Sequence, residues 1–182
     1  MEVKEAIESF ERVVAFGRVC ESLKDIRRDI VSLEKVSHID PFLKEGCNTL
    51  ILASGDPCFY GIVEYLKGKG LELEKIMPGL SSFQYMMAKL NKSWQGANFI
   101  SLHGRDEGLK SVKDYKLSII LTDKKNTADE ISKRLDELGI KGKIYAGFNL
   151  SYEDERIVKK NIGEKIEDYS PLAVVVIENE MD

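Results

Sequence analysis

Residues 50–66 read LILASGDPCFYGIVEYL. The apolar run Leu50-Ile51-Leu52-Ala53 stops at Ser54-Gly55-Asp56-Pro57, and an apolar pattern at helical spacing follows at once. A short continuous apolar run bounded by turn residues reads as a buried strand, and Ile62, Val63 and Leu66 fall on one face of a helix. The stretch therefore predicts a strand over 49–53, a small polar loop, and a helix over 59–66. Asp56 suits the N-cap of that helix and Pro57 its first turn. The loop has a second reading as well. Small Ser54 and Gly55 let a ligand approach the backbone, where exposed amides can bind its polar groups. SGDP alone does not choose between capping chemistry and a binding loop.

Outward from this stretch the alternation repeats. Toward the N-terminus lie a helical KEAIESF segment, a strand over Val13–Phe16, a weaker strand near Ile30–Leu33 and a short helix from His38 to Glu45. Toward the C-terminus Gly68 and Gly70 end the helix, LELEKIM reads as extended, and Pro78-Gly79 as a turn. Ser81 or Ser82 can cap a helix reaching Leu90. The polar stretch Asn91–Asn98 then separates two halves, predicted as lobes at 1–97 and 98–182. In the second half, strands are expected over 99–102, 117–121, 143–146, 156–160 and 172–177. TADEISKRLDELG reads as an amphipathic helix with Ile131, Leu135 and Leu138 on one face and Gly139 past its end. Strands alternating with helices predict an α/β fold with mainly parallel pairing. In such sheets ligands sit beyond the carboxyl ends of the strands. SGDP, PGLSS, LHGR and LTD thus become candidate binding loops, each placed after a strand.

Bulk properties narrow the function classes. The 182 residues are 43% hydrophobic and 32% charged, with a net charge of −4, which gives no general attraction to nucleic acid. Cys20, Cys47 and Cys58 form no CxxC pair, and with only His38 and His103 beside them they offer no metal-ligand spacing. No metal site is expected. Reduced thiols and a start, MEVKEAIESF, without an apolar signal region point to a cytoplasmic protein. No apolar run approaches the ~20 residues of a membrane span, so no membrane partner is expected. The sequence has neither GxxxxGK[ST] nor a GxGxxG after its first strand, which sets aside the common nucleotide-phosphate loops. His103 and Arg105 flank Gly104 at a strand end, where they could contact an anion or simply be solvated. The acids and Arg156 of FNLSYEDER read as a charged face, and Trp94 as a side chain packed between lobes.

Taken together, ASGDPCFYGI, IMPGLSSFQYMMAKL with Trp94 following, ISLHGR, ILTDKKNTADEISKRLDELG and NLSYEDERI resemble the tetrapyrrole (corrin and porphyrin) methyltransferases. The combination of SGDPxFYG, PGxSSFQ, SLHGR and LSYEDER is most similar to the cobalt-precorrin-7 C(5)-methyltransferase branch of cobalamin biosynthesis. The resemblance runs in order over nearly the whole chain. It implies two α/β lobes facing each other across a trough, usually in a homodimer, with S-adenosylmethionine bent between the lobes and the tetrapyrrole above it. Carried over by motif, cofactor contacts are expected at Ser54, Gly55, Asp56, Phe59, Ser81 and Ser82, then at Thr122, Leu150 and Leu172. His103 and Arg105 are expected to meet carboxylates of a cobalt-containing precorrin substrate. No residue is identified as a general base.

The resemblance also implies two departures. In that family a strand and a glycine-rich GxGPG loop normally precede the first helix. This sequence opens at MEVKEAIESFERVVAFGR, matching that helix and the next strand, so the first lobe is expected without its usual first strand, a start placed too late being the favoured account. Some relatives carry a fused decarboxylating methyltransferase domain, here expected as a separate partner. Other readings are a tetrapyrrole methylase acting at a different ring carbon or on uroporphyrinogen, and a non-catalytic remnant that binds tetrapyrrole or S-adenosylhomocysteine.

Overall fold

The computed structural model describes residues 2–43, 48–102, 108–171 and 173–181. Its contacts divide the chain into two units, Met1–Ser81 and Ser82–Asp182.

In the first unit, the continuous apolar character of Val13-Val14-Ala15 is explained by burial on both faces. Strand β1 (Arg12–Phe16) lies at the centre of a three-stranded parallel sheet, between β2 (Val31–Leu33) and β3 (Thr49–Leu52). Val13, Ala15, Leu50 and Leu52 share one face with Ile7 of helix α1 (Glu2–Ser9). Val14 and Leu33 share the other with Ile39, from a 3-10 turn over Val36–Phe42, and Leu66 of helix α3 (Ile62–Gly68). A parallel sheet covered on both sides requires this pattern. Between β1 and β2 the chain makes the single turn α2 (Val19–Ser22). LELEKIM (71–77) is extended but joins neither sheet; Leu71 and Leu73 pack on the α3 face and Met77 on the α1 face. The expected strand before PGLSS is therefore a packed, unladdered segment, because alternating Glu72 and Glu74 leave one side of it exposed.

Arg27 ties the first unit's entry together. Its guanidinium donates to the backbone carbonyls of Ile7 at 3.0 Å and Glu11 at 3.1 Å, and to that of Phe10. It also holds both Asp29 oxygens, at 2.7 and 2.9 Å. The Ile7 carbonyl in the last turn of α1 and the Phe10 and Glu11 carbonyls just past it are thereby satisfied by a cation at the C-terminal end, where the helix dipole favours it.

The second unit holds helix α4 (Ser82–Lys89), strand β4 (Asn98–Ser101), a 3-10 turn over Leu109–Asp114 and strand β5 (Leu117–Leu121). Helix α5 (Ala128–Glu137) and strands β6 (Gly142–Phe148), β7 (Arg156–Asn161) and β8 (Ala173–Asn179) follow. The sheet order is β4-β5-β8-β6-β7. Among the described residues only β4 and β5 pair in parallel here; β8 runs antiparallel to both β5 and β6, and β7 antiparallel to β6. The expectation of mainly parallel pairing is thus corrected for this half. The link from β6 to β7 is too short for a crossover helix, and a short link permits only a hairpin. Contacts also assign α4 to this unit, whereas the sequence reading placed the division at 97/98.

Helix α5 behaves as its pattern requires. Thr127 caps it by accepting from the Glu130 amide at 3.4 Å, and Gly139 (φ +73°) ends it. Ile131 and Leu135 are buried against Ile120, Ile144, Phe148 and Val175 of the sheet, with Leu138 at the margin. The segment between β7 and β8 is pinned to α5 by polar side chains. Asp129 accepts from the Ile166 amide at 2.9 Å, Ser132 from Gly163 at 3.0 Å, and Asp168 from Ala128 at 3.1 Å. On the opposite sheet face Trp94 stands edge-on to Phe83 and Phe99, with centroids 5.4 and 6.5 Å away.

On the same face, Glu178 accepts from Lys92 Nζ and from the Tyr145 hydroxyl, both at 2.6 Å. Partial burial alone would raise the Glu178 carboxyl, but the hydrogen bonds from Lys92 and Tyr145 outweigh it and hold its pKa below the ordinary value of 4.5. A depressed folded pKa contributes stability above the unfolded value, and that contribution is lost as pH falls through the folded one. Chemical denaturation of the wild-type chain and of Glu178→Gln at a series of pH values tests this. The gap in stability between them is expected to be largest near neutrality and to shrink as pH falls below 4.5. A gap that does not change with pH would show that the carboxylate is not the titrating group.

Candidate functional site

Strand β3 delivers its C-terminal end into Ser54-Gly55-Asp56, and this loop meets Pro78-Gly79-Leu80-Ser81 backbone to backbone. The Gly79 amide donates to the Gly55 carbonyl at 3.2 Å. A Cβ on Gly79 would lie 2.6 Å from that same oxygen, and one on Gly55 would lie 3.5 Å from Ser81 Cα. Gly55 also sits at φ +75°, where a side chain would be strained. Two of the loops singled out in the sequence are therefore neighbours because glycine stands in both. Ser81 is buried at their junction, Leu80 is 65% exposed, and Ser54 is exposed. Among the described residues the Ser54 hydroxyl has no protein partner.

Asp56 does not cap α3 as expected. Its carboxylate accepts from the Cys58 amide at 2.8 Å, and its carbonyl accepts from Phe59 at 3.1 Å, forming a compact turn instead. Helix α3 begins only at Ile62, after Tyr60 at φ +49°. A Cβ on Gly61 would lie 2.4 Å from the Pro57 carbonyl, so the chain folds back on itself there before it can wind into a helix. Phe59 and Tyr60 pack edge to face with centroids 4.9 Å apart. The loop beyond β3 is thus longer than the sequence pattern suggested, and it places Phe59 within the loop.

In the second unit, Ser82 is exposed and opens α4. Thr122 is 5% exposed, and its hydroxyl donates to the Ala173 carbonyl at 2.9 Å and accepts from the Ala173 amide at 3.1 Å. That side chain splices the end of β5 to the start of β8. Leu150 is half-buried between Asn149 (φ +46°) and Ser151 (φ +69°), in the turn after β6. Gly147 makes room for it: a Cβ there would lie 2.6 Å from Met86 Sδ and 2.9 Å from Leu150 Cδ2. His103, Arg105 and Leu172 lie outside the described residues.

The acids of FNLSYEDER shape a turn and not a helical face. Asp154 accepts from Asn149 Nδ2 at 2.6 Å, and Glu155 from the Ser151 amide at 2.8 Å. The Ser151 amide, aided by Lys89 Nζ at 3.0 Å, holds the Glu155 carboxyl below its ordinary range. Asp123 of LTD likewise accepts from the Lys125 and Asn126 amides, both at 2.8 Å. Sequence reading did not foresee the stack of Arg156 on Tyr169, 4.3 Å from guanidinium carbon to ring centroid. The residues lie in different motifs, and no local spacing signals the contact. Among the described residues no group of three or more His, Cys, Asp or Glu side chains could hold a metal ion.

A family model described as Tetrapyrrole (Corrin/Porphyrin) Methylases matches residues 2–166. The chain is 37% identical over 139 residues to a probable cobalt-precorrin-7 C(5)-methyltransferase of Methanocaldococcus jannaschii, covering 71% of this chain and 64% of that protein. It is 32% identical over 131 residues to the cobalt-precorrin-7 C(5)-methyltransferase of Salmonella typhimurium, covering 71% and 65%. The chain thus spans about two thirds of the length of these relatives, 64% and 65%. Among solved structures, a precorrin-6Y methylase from Archaeoglobus fulgidus superposes with a TM-score of 0.74 at 22% identity, over 99% of this chain and 91% of that one. A uroporphyrin-III C-methyltransferase from Thermus thermophilus, complexed with S-adenosyl homocysteine, does so at 0.75 and 19%, over 97% and 89%. At these identities the superpositions establish the fold.

The glycine contact yields a direct test. Gly79→Ala is expected to destabilise the chain by about 1–3 kcal/mol in urea denaturation, since the obstacle is a backbone carbonyl that cannot swing aside. Gly68→Ala, in α3 with nothing within 4 Å of its Cβ, is expected to be neutral or stabilising, because alanine loses less entropy in a helix. Equal effects at the two positions would contradict the packing argument.

Proposed function

The chain belongs to the tetrapyrrole (corrin/porphyrin) methylase family, and from that premise we propose that it transfers a methyl group from S-adenosylmethionine to carbon 5 of a cobalt-containing precorrin-7 in cobalamin biosynthesis. The observation that carries this reading is the union of SGDP with PGLSS. It sets an exposed hydroxyl, Ser54, which has no protein partner among the described residues, beside a glycine backbone and an exposed apolar side chain, Leu80. Such a mixed polar and apolar surface suits a cofactor that has a hydroxylated sugar, a charged amino-acid tail and a flat base. Ser54, Gly55, Asp56, Phe59 and Ser81 would hold it from the first unit. Ser82, Thr122, Leu150 and Leu172 are the proposed contacts from the second. Because the Thr122 hydroxyl is engaged with Ala173, its contribution would come from the methyl group or the backbone.

When bound, the cofactor supplies a methyl group on a sulfonium, an electrophile that needs no further activation. The macrocycle carbon supplies the electron pair, so the chain requires no strongly activated nucleophile and no general base is assigned. Its tasks are alignment and the exclusion of water. His103 and Arg105 are proposed to meet the substrate's carboxylates, the guanidinium as a fork. A homodimer, a cytoplasmic setting and a separate decarboxylating methyltransferase partner belong to the same reading.

Calorimetry with S-adenosylhomocysteine, followed by product analysis with a panel of precorrins, tests it. Binding and a single new methyl at carbon 5 are expected. Absence of binding at millimolar ligand removes the methyltransferase reading, and methylation at another carbon or on uroporphyrinogen moves the chain to a different branch of the family.

A further inference from the structure

Arg156 stands where the proposed function has assigned no role. It is the first residue of β7, and its register partner is Phe148 at the end of β6. Phe148 pairs on its other side with Ala173, to which Thr122 is bonded. Thr122, Ala173, Phe148 and Arg156 therefore form one row across the same end of the second sheet, and Leu150 follows in the adjoining turn. Arg156 is exposed, yet its guanidinium is held in place. It lies 4.3 Å from the Tyr169 ring centroid. That ring stands edge-on to buried Phe148 with centroids 5.5 Å apart, and its hydroxyl donates to Glu167 at 2.9 Å.

Acids precede Arg156 in the chain, but Asp154 and Glu155 are turned away, to Asn149 and to Ser151 and Lys89. Among the described residues Arg156 has no carboxylate partner. A guanidinium stacked on an aromatic ring keeps its in-plane donors free for a carboxylate from outside, and the stack removes rotamer entropy before that ligand arrives. A lysine in its place would present only a point charge.

We propose that Arg156 is a specificity-determining residue that receives a carboxylate of the tetrapyrrole substrate at this end of the second sheet. The inference rests on the methylase reading above. Its test uses the full chain, with uroporphyrin as the carboxylate-rich probe, the same porphyrin with its carboxylates amidated, and S-adenosylhomocysteine as an independent ligand.

Arg156→Gln is expected to weaken uroporphyrin binding about tenfold or more, the scale of one charged hydrogen bond lost. Binding of the amidated porphyrin and of S-adenosylhomocysteine should stay unchanged, and Arg156→Lys should recover part of the loss. Lys159→Gln, which removes the same charge further along β7, should bind uroporphyrin as the wild type does. Equal uroporphyrin affinity in wild type and Arg156→Gln overturns the inference while leaving the methylase reading intact. An equal loss in Lys159→Gln also overturns it, by showing an effect of net charge alone. A wild-type chain that binds neither uroporphyrin nor S-adenosylhomocysteine overturns both.

Discussion

The Gly55 carbonyl and the Gly79 amide meet at a distance that admits no side chain between them. One hydrogen bond there contributes about 0.5–1.5 kcal/mol in net terms, which is modest. Its consequence is geometric. The loop after β3 and the loop before α4 are far apart in sequence, and each is free to wander unless something holds it. The backbone contact fixes both at once, buries Ser81 at the seam, and leaves Ser54 and Leu80 facing outward. The surface proposed to hold the cofactor thereby forms from residues that individually have little to offer.

The second unit solves a similar problem with a similar residue. Gly147 lets Met86 of α4 close onto β6, and the same absence of a side chain admits Leu150 from the following turn. Around that contact the polar groups are paired locally. Glu155 and Asp154 stabilise the turn, the Thr122 hydroxyl joins β5 to β8, and Glu178 gathers Lys92 and Tyr145 at the far end of the sheet. Charge that is satisfied at home is unavailable to a ligand. Among the described residues Arg156 has no carboxylate partner, and it is the donor that the inference above gives to a substrate carboxylate.

Much of this architecture was legible in the residues themselves. Apolar runs such as Val13-Val14-Ala15 and Ile119-Ile120-Leu121 mark strands because burial on both faces disfavours polar side chains. The Thr127 cap and the period of Ile131 and Leu135 mark α5 for equally local reasons. What failed was non-local or depended on strain. The delayed start of α3 follows from the Gly61 backbone lying against Pro57, where the Asp-Pro pair by itself argues for an immediate helix. Antiparallel placement of β8 is a matter of topology, and a buried strand reads the same in either direction. The loops of the candidate site were visible as motifs, whereas the contact between SGDP and PGLSS, and the Arg156–Tyr169 stack, join residues that no sequence period connects.

Family membership and the packing of the two loops are the grounds for proposing the junction of residues 54–59 with 78–81 as a place where the cofactor is held. Amide hydrogen exchange of the full chain, with and without saturating S-adenosylhomocysteine, examines that junction directly, since protection reports local opening residue by residue. The account predicts slower exchange on binding in both loops together, with the Gly79 amide among those affected. Ligand that binds while both loops exchange at unchanged rates would contradict it.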